Sequence, residues 1–355
     1  MRRFCRGRGL RVLVATLAIP AAIFFALSQT PPVNAAPARQ AAAAKTPAQI
    51  KSGRIDYVEA SAFFRRFQLK AAWVFPGRVQ RFQGPLTTVD LEADKREALI
   101  NGKRVYLGEP VMLRGEALYL TRIDAEKLFD PILRPATVAV PAPALKVIVL
   151  DPGHGGQDTG TRNSPLKLNE KTFTLDVAQR VKKLLQAQGY KVLLTRTDDR
   201  FIPLPERADI ANRAGADLFI SIHFNSVPNA PAVRGTETYT MTPRYQKSTG
   251  SAARDKTDDD LNPGNLYDPW NALLGYAVHQ HLLSRLATPD RGLKRARFAV
   301  LRLVKSPAVL VEAGYLSNDA EARKIATAAY RQDIAEGIVA GVGQYARAIT
   351  TAKMK

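Results

Sequence analysis

Four histidines occur in the 355 residues, and two of them occupy matching settings. The apolar, β-prone run Val147-Ile148-Val149-Leu150 leads into Asp151-Pro152-Gly153-His154-Gly155-Gly156. Leu218-Phe219-Ile220-Ser221-Ile222 leads into His223-Phe224-Asn225-Ser226. A carboxylate, Glu170, follows the first turn, and Glu312 ends a further strand-like run, Ala308-Val309-Leu310-Val311. Two imidazoles and a carboxylate form a donor set for Zn2+ that leaves a coordination position open. A fourth group near them could move a proton.

Each residue also has a plainer reading. The glycines around His154 let the backbone bring a ligand or metal close, or they frame a turn with a solvent-exposed histidine. Asp151 is either an acceptor that fixes a ligand ring or the start of the turn. Glu170 follows Asn169, a good N-cap type, and an acid in a first helical turn complements the helix dipole whether or not it binds metal. His223 is a ligand or a buried, hydrogen-bonded histidine. A carboxylate closing a buried strand is costly unless paired or functional. Glu312 is therefore either ion-paired to an arginine or a general base raised by apolar surroundings. His279 and His281 fall inside a helical pattern and read as structural, with His281 on the apolar face beside Ala277 and Val278 and His279 pointing away. A G-x-S-x-G elbow and a phosphate-binding P-loop are absent from the sequence.

The elements that must position these groups alternate. Strands are expected at 147–150, 192–195, 218–222, 236–241 and 309–311. Between the first two, Phe173, Val177, Val181, Leu184 and Leu185 follow the helical period, and Gly189 suits the helix end. Further helices are expected at 205–214, 269–286 and 330–349. The alternation predicts an α/β fold, a mostly parallel twisted sheet with helices on both faces. In such sheets, functional groups gather beyond the carboxyl ends of the strands, where His154, His223 and Glu312 all fall. Residues 245–265 are polar and are expected to form a mobile loop. Upstream, 53–133 reads as a small β-rich domain of short strands and turns, with Asn101-Gly102 as a hairpin signal. Pro135, Pro141 and Pro143 mark a linker at 134–145.

The first 35 residues read as a secretory signal peptide: Arg2, Arg3, Arg6, Arg8 and Arg11, an apolar run at 12–27, then small residues at a cleavage site. The competing reading is an uncleaved membrane anchor, for which the run is short and is interrupted by Pro20. The sequence leaves Sec and twin-arginine export open. An Ala- and Pro-rich flexible tether is expected at 36–52. The single cysteine, Cys5, lies in the segment to be removed, which excludes thiolate ligands and a cysteine nucleophile from the mature chain. The formal charge of +20 suits an acidic partner or is simply a solvated basic surface. For an exported chain that partner is a cell-wall peptide, an anionic envelope polymer or a lipid head group rather than nucleic acid, whose modules carry basic-aromatic motifs missing here.

The ordered motifs resemble the zinc-dependent N-acetylmuramoyl-L-alanine amidases of the amidase-3 family. They are Asp151-Pro152-Gly153-His154-Gly155-Gly156, Asn169-Glu170-Lys171, Leu194-Thr195-Arg196, Ser221-Ile222-His223-Phe224-Asn225-Ser226, Arg291-Gly292-Leu293-Lys294 and Val311-Glu312-Ala313-Gly314-Tyr315-Leu316-Ser317-Asn318. The resemblance spans 146–349. It implies Zn2+ held by His154, Glu170 and His223, with Glu312 as the catalytic carboxylate. It also implies hydrolysis of the amide between N-acetylmuramic acid and L-alanine in peptidoglycan, for wall remodelling or daughter-cell separation. Asn225, Arg196, Arg207 and Arg297 are candidate contacts to stem-peptide carboxylates. Phe224 and Ala313 depart from the usual pattern, and neither is expected to touch a ligand. Residues 53–133 are similar to the copper amine oxidase N-terminal-like domain, which suggests targeting or spacing; they contain no histidine. Some relatives carry an inhibitory helix over the site; 245–265 is too polar for one, so an open groove is expected. The expected setting is the periplasm or cell envelope. The mature form is not expected to span a membrane, and an activator protein is a candidate partner. The alternatives are another zinc amidohydrolase or peptidase acting on stem peptides, and a non-catalytic wall-binding protein.

Overall fold

The computed structural model describes residues 49–354. The expected signal peptide and most of the tether lie outside the described residues. The last residues assigned to the tether form a strand instead: β1 (Gln49–Ser52) pairs antiparallel with β2 (Ile55–Glu59). Helix α1 (Ala60–Arg65) follows, then the antiparallel ladder β3 (Lys70–Phe75), β4 (Val79–Gln83), β5 (Thr88–Glu92), β6 (Glu97–Ile100) and β7 (Lys103–Tyr106). Strands β8 (Met112–Arg114) and β9 (Ala117–Thr121) complete a small sheet with β2. Helix α2 (Arg122–Asp124), a π turn (Ala125–Phe129) and α3 (Asp130–Leu133) close this part.

The second part opens with β10 (Val147–Pro152), the two-residue strands β11 (Arg162–Asn163) and β12 (Leu168–Asn169), α4 (Glu170–Ala187) and β13 (Lys191–Leu194). Next come α5 (Leu204–Arg213), β14 (Leu218–Asn225), β15 (Thr236–Met241), α6 (Asp268–Leu286), β16 (Asp290–Ala296), α7 (Ala299–Leu303), β17 (Ala308–Tyr315), α8 (Asp319–Ile325) and α9 (Ala328–Lys353). Strands β13, β10, β14 and β17 are parallel neighbours in that order. β15 joins β17 antiparallel, and β16 runs parallel to β15. The expected α/β fold is therefore present, with the last two strands reversed.

Burial on both faces explains the near-continuous apolar runs of β10, β14 and β17. Ile148, Leu150, Ile220, Ile222, Val309 and Val311 face α4, α6 and α9. Val149, Phe219, Ala308 and Leu310 face α5 and α7. By strand alternation, His223 and Glu312 share the α5–α7 face. Strand β16 was not expected. Its sequence, Asp-Arg-Gly-Leu-Lys-Arg-Ala, has one large apolar residue, Leu293, and that residue is buried.

Leu293 leads to the main surprise of the fold. β16 pairs parallel with β7 at Leu293↔Val105, so one 11-stranded sheet runs from β13 to β3. Ala272 and Tyr276 of α6 and Leu293 of β16 enter the same apolar cluster as Phe63, Phe64, Phe82 and Phe129. A buried Arg295–Asp124 ion pair at 2.6 Å crosses the same junction. The proline-rich 134–145 stretch lies against the second part: Trp270 Nε1 donates to the Val140 carbonyl at 3.1 Å, and Val138, Ala142 and Leu145 pack on its core.

Two further expectations need correction. Residues 245–265 are folded and anchored. Capping boxes built on Asp255/Asp258 and Asn262/Asn265 order two 3-10 turns, and Arg297 pairs with Asp258 at 2.5 Å. In α6, His279 is fully buried, bonding Thr238 Oγ1 at 3.1 Å and Asp290 at 3.0 Å, while His281 is half-buried. The expected faces are reversed because α6 is covered by the sheet, α9 and the N-terminal core at once. Among the described residues, no helix is long and apolar enough to cross a membrane.

Candidate metal centre and active site

The turn after β10 places His154 at φ +61°. For a residue with a Cβ this left-handed conformation costs about 1–2 kcal/mol. Arg207 holds it there: Nη2 donates to the His154 carbonyl at 2.7 Å, Nη1 to the Pro152 carbonyl at 2.8 Å, and Nη1 to Asp151 at 2.9 Å. Asp151 takes neither of its expected roles. It is buried and accepts from Thr195 Oγ1 at 2.6 Å and Ser221 Oγ at 2.8 Å, tying β10 to β13 and β14. The acceptor behind the His154 ring is Asp158, 2.8 Å from Nδ1. That contact leaves Nε2 to face the site and fixes the ring, as carboxylates behind metal-bound histidines do.

Glu170 opens α4, and its neighbour Asn169 makes no side-chain cap. Oε1 lies 3.1 Å from His154 Nε2 and 3.0 Å from His223 Nδ1. The Phe224 amide donates to Oε1 at 3.0 Å and the Thr161 amide to Oε2 at 2.8 Å. The Phe224 backbone thus touches a site residue, contrary to expectation. Burial alone would raise Glu170, but the two imidazoles outweigh it and hold the carboxyl well below its ordinary range.

Close approach makes two glycines necessary. A Cβ at Gly153 would lie 2.2 Å from His223 Cε1, and one at Gly160 would lie 2.6 Å from both Glu170 Oε2 and His154 Cδ2. The two rings stand nearly perpendicular, 4.9 Å apart. One ligand atom from each of His154, Glu170 and His223 falls within 4.8 Å of the others. Two nitrogens and one carboxylate oxygen, gathered in space that glycines keep open, are a donor set that fits a divalent metal such as zinc.

Glu312 is the β17 neighbour of His223 in register and lines the same cavity of about 390 Å3, with Asn225, Phe298 and Leu310. Its Oε2 is buried and, among the described residues, has no hydrogen-bond partner. Burial first, then the charges of Glu170 and Glu237, push the carboxyl well above its ordinary range against the pull of Lys294. A second hollow of about 320 Å3, lined by Asp158, Phe201, Ile202 and Leu204, meets the first at His154 and His223. No residue of 245–265 lines either hollow.

The three arginines marked as substrate contacts are placed otherwise. Arg196 is fully buried, and its donors go to the carbonyls of Pro152, Gly153, Lys171 and Asp198 and to Thr174 Oγ1. Arg207 is committed beneath His154, and Arg297 to Asp258 and the carbonyls of Pro243 and Gln246. Asn225 remains on the cavity, where its Oδ1 accepts from the Ser226 amide at 2.7 Å.

A family model described as N-acetylmuramoyl-L-alanine amidase matches residues 148–344, which include all four site residues. The chain belongs to the amidase-3 family. The amidase LytC of Bacillus subtilis is 30% identical over 83% of this chain and 55% of its own length. The amidase AmiA of Escherichia coli is 36% identical over 56% of this chain and 76% of its own. The chain thus spans about half the length of LytC and three quarters of AmiA. A crystal structure of an N-acetylmuramoyl-L-alanine amidase from Clostridium difficile shares 32% identity, covering 57% of this chain and 97% of that one, with a TM-score of 0.49. The amidase-3 match covers β10 to α9, the part in which the sequence motifs fell.

Proposed function

We propose that this chain hydrolyses the amide bond between the lactyl group of N-acetylmuramic acid and L-alanine in peptidoglycan. In this reading Zn2+ is held by His154, Glu170 and His223. The convergence of those three donors within 4.8 Å, beside Glu312 in one open cavity, carries the reading, and membership of the amidase-3 family supports the bond chosen. When bound, Zn2+ supplies Lewis acidity that polarises a carbonyl and lowers the pKa of water to about 7.

The chain's own groups do the rest. Glu312, with its raised proton affinity, takes a proton from the attacking water and delivers it to the departing L-alanine amine. Asp158 orients His154, and Arg207 fixes the backbone from which that ring projects. Asn225 and Phe298 border the cavity where the substrate lies. The same reading places the protein outside the cytoplasm, in the cell envelope where peptidoglycan lies.

The test is peptidoglycan digestion by zinc-loaded, chelated and zinc-restored protein, with Glu312→Gln alongside. Chelation should abolish release of new amino groups and zinc should restore it. Glu312→Gln should keep its zinc and lose about 10²–10⁴-fold in rate. Full activity after chelation, or a wild-type rate for Glu312→Gln, would sink the proposal.

A further inference from the structure

Directly across the β15–β17 ladder from Glu312 stands a second acid, Glu237. It is buried, and it accepts from Lys294 Nζ at 2.8 Å, Arg291 Nε at 3.1 Å, Tyr239 Oη at 2.5 Å and the Tyr315 hydroxyl. Like charges facing each other across a strand pair repel. The two cations and two phenols around Glu237 offset that repulsion. Among the described residues Glu312 has no comparable company, its Oε2 lacking a hydrogen-bond partner there. Its place is therefore set by packing and by the charge of its neighbours.

Of the two cations, Lys294 is the better shielded, 15% exposed against 38% for Arg291, so its charge is less screened by water. Register sets Lys294 of β16 beside Tyr239 of β15. Its ammonium lies 5.8 Å from the Tyr239 ring and 5.7 Å from the ring of Tyr106, which β7 contributes from the N-terminal part. Tyr239 in turn packs against Phe298 on the cavity wall, centroids 5.1 Å apart.

We infer that Lys294 is a positioning residue for the hydrolysis: by neutralising Glu237 it lets Glu312 hold its place beside His223, and Tyr106 of the N-terminal part keeps Lys294 in its slot. The inference rests on Glu312 being the proton-transferring carboxylate. It gives residues 53–133 a part in catalysis that neither targeting nor spacing would supply.

The test is a double-mutant cycle on the full-length, zinc-loaded protein, comparing Lys294→Met, Glu237→Gln and the double variant, with wild type and Glu312→Gln as references. Lys294→Met should lower kcat by about tenfold, with KM within about twofold and zinc content unchanged. The double variant, with no carboxylate left across the ladder from Glu312, should recover most of that kcat. A purely structural role would instead make the double variant slower than either single one. Wild-type kcat in Lys294→Met, or a double variant as slow as Lys294→Met, overturns the inference. If Lys294→Met does not fold, the double variant must match Glu237→Gln in kcat within about twofold, and a further loss of about tenfold overturns the inference. A wild type that releases no L-alanine amine, by contrast, would strike at the functional reading itself.

Discussion

The convergence of His154, Glu170, His223 and Glu312 was legible because each sits where sequence pattern and chemistry coincide: a glycine turn after a strand, a helix start, and two strand ends. Asp158 gave no such signal. It is one acid in a polar loop, four residues past His154, and only the turn brings its carboxylate to the ring at 2.8 Å. Asp158→Ala should weaken zinc affinity by about 10–100-fold, as loss of a carboxylate behind a metal-bound histidine does. Competitive titration with a chromophoric chelator measures this, and an unchanged affinity would count against the assigned role. The arginines show the opposite failure. Their charge suggested carboxylate binding, but charge in a sequence does not reveal burial: Arg196 donates to main-chain carbonyls under the site, and Arg207 to such carbonyls and to Asp151.

Elements with a clear period were readable and elements without one were not. Helix α4 shows an apolar stripe, and β10, β14 and β17 are apolar throughout because both faces are covered. Strand β16 is mostly polar, since its side chains serve ion pairs with Glu237 and Asp124 rather than a core. The two histidines of α6 were assigned to the wrong faces because a helix buried on nearly every side carries no readable stripe. At this scale the ends of β10, β13 and β14 depend on one buried pair, Arg207–Asp151 at 2.9 Å. Arg207→Ala leaves the Asp151 carboxylate buried without its cation and should destabilise the fold by about 3–5 kcal/mol. Lysine is no repair, because a single ammonium cannot reproduce the guanidinium fork to Asp151 and the carbonyls of Pro152, His154 and Ile202. Thermal or urea unfolding gives the measurement, and a loss under about 1 kcal/mol would mean the pair is not what anchors the turn.

Across the whole molecule, sequence reading separated two parts, and the described residues join them by strand pairing, a common apolar cluster and the Arg295–Asp124 pair. That union was hidden because a parallel contact between strands far apart in the chain leaves no local pattern. Its functional consequence is that Glu312 sits on a sheet whose far strands belong to the N-terminal part, so the site and that part are built on one frame. The basic chain and the open cavity suit a long acidic polymer laid across this frame. The central claim concerns which bond in that polymer is cut, and mass spectrometry of the fragments released from purified peptidoglycan addresses it directly. The account predicts free peptides that begin with L-alanine and glycan strands with bare lactyl groups. Glycan strands that keep L-alanine on the sugar, beside shortened peptides, would contradict it.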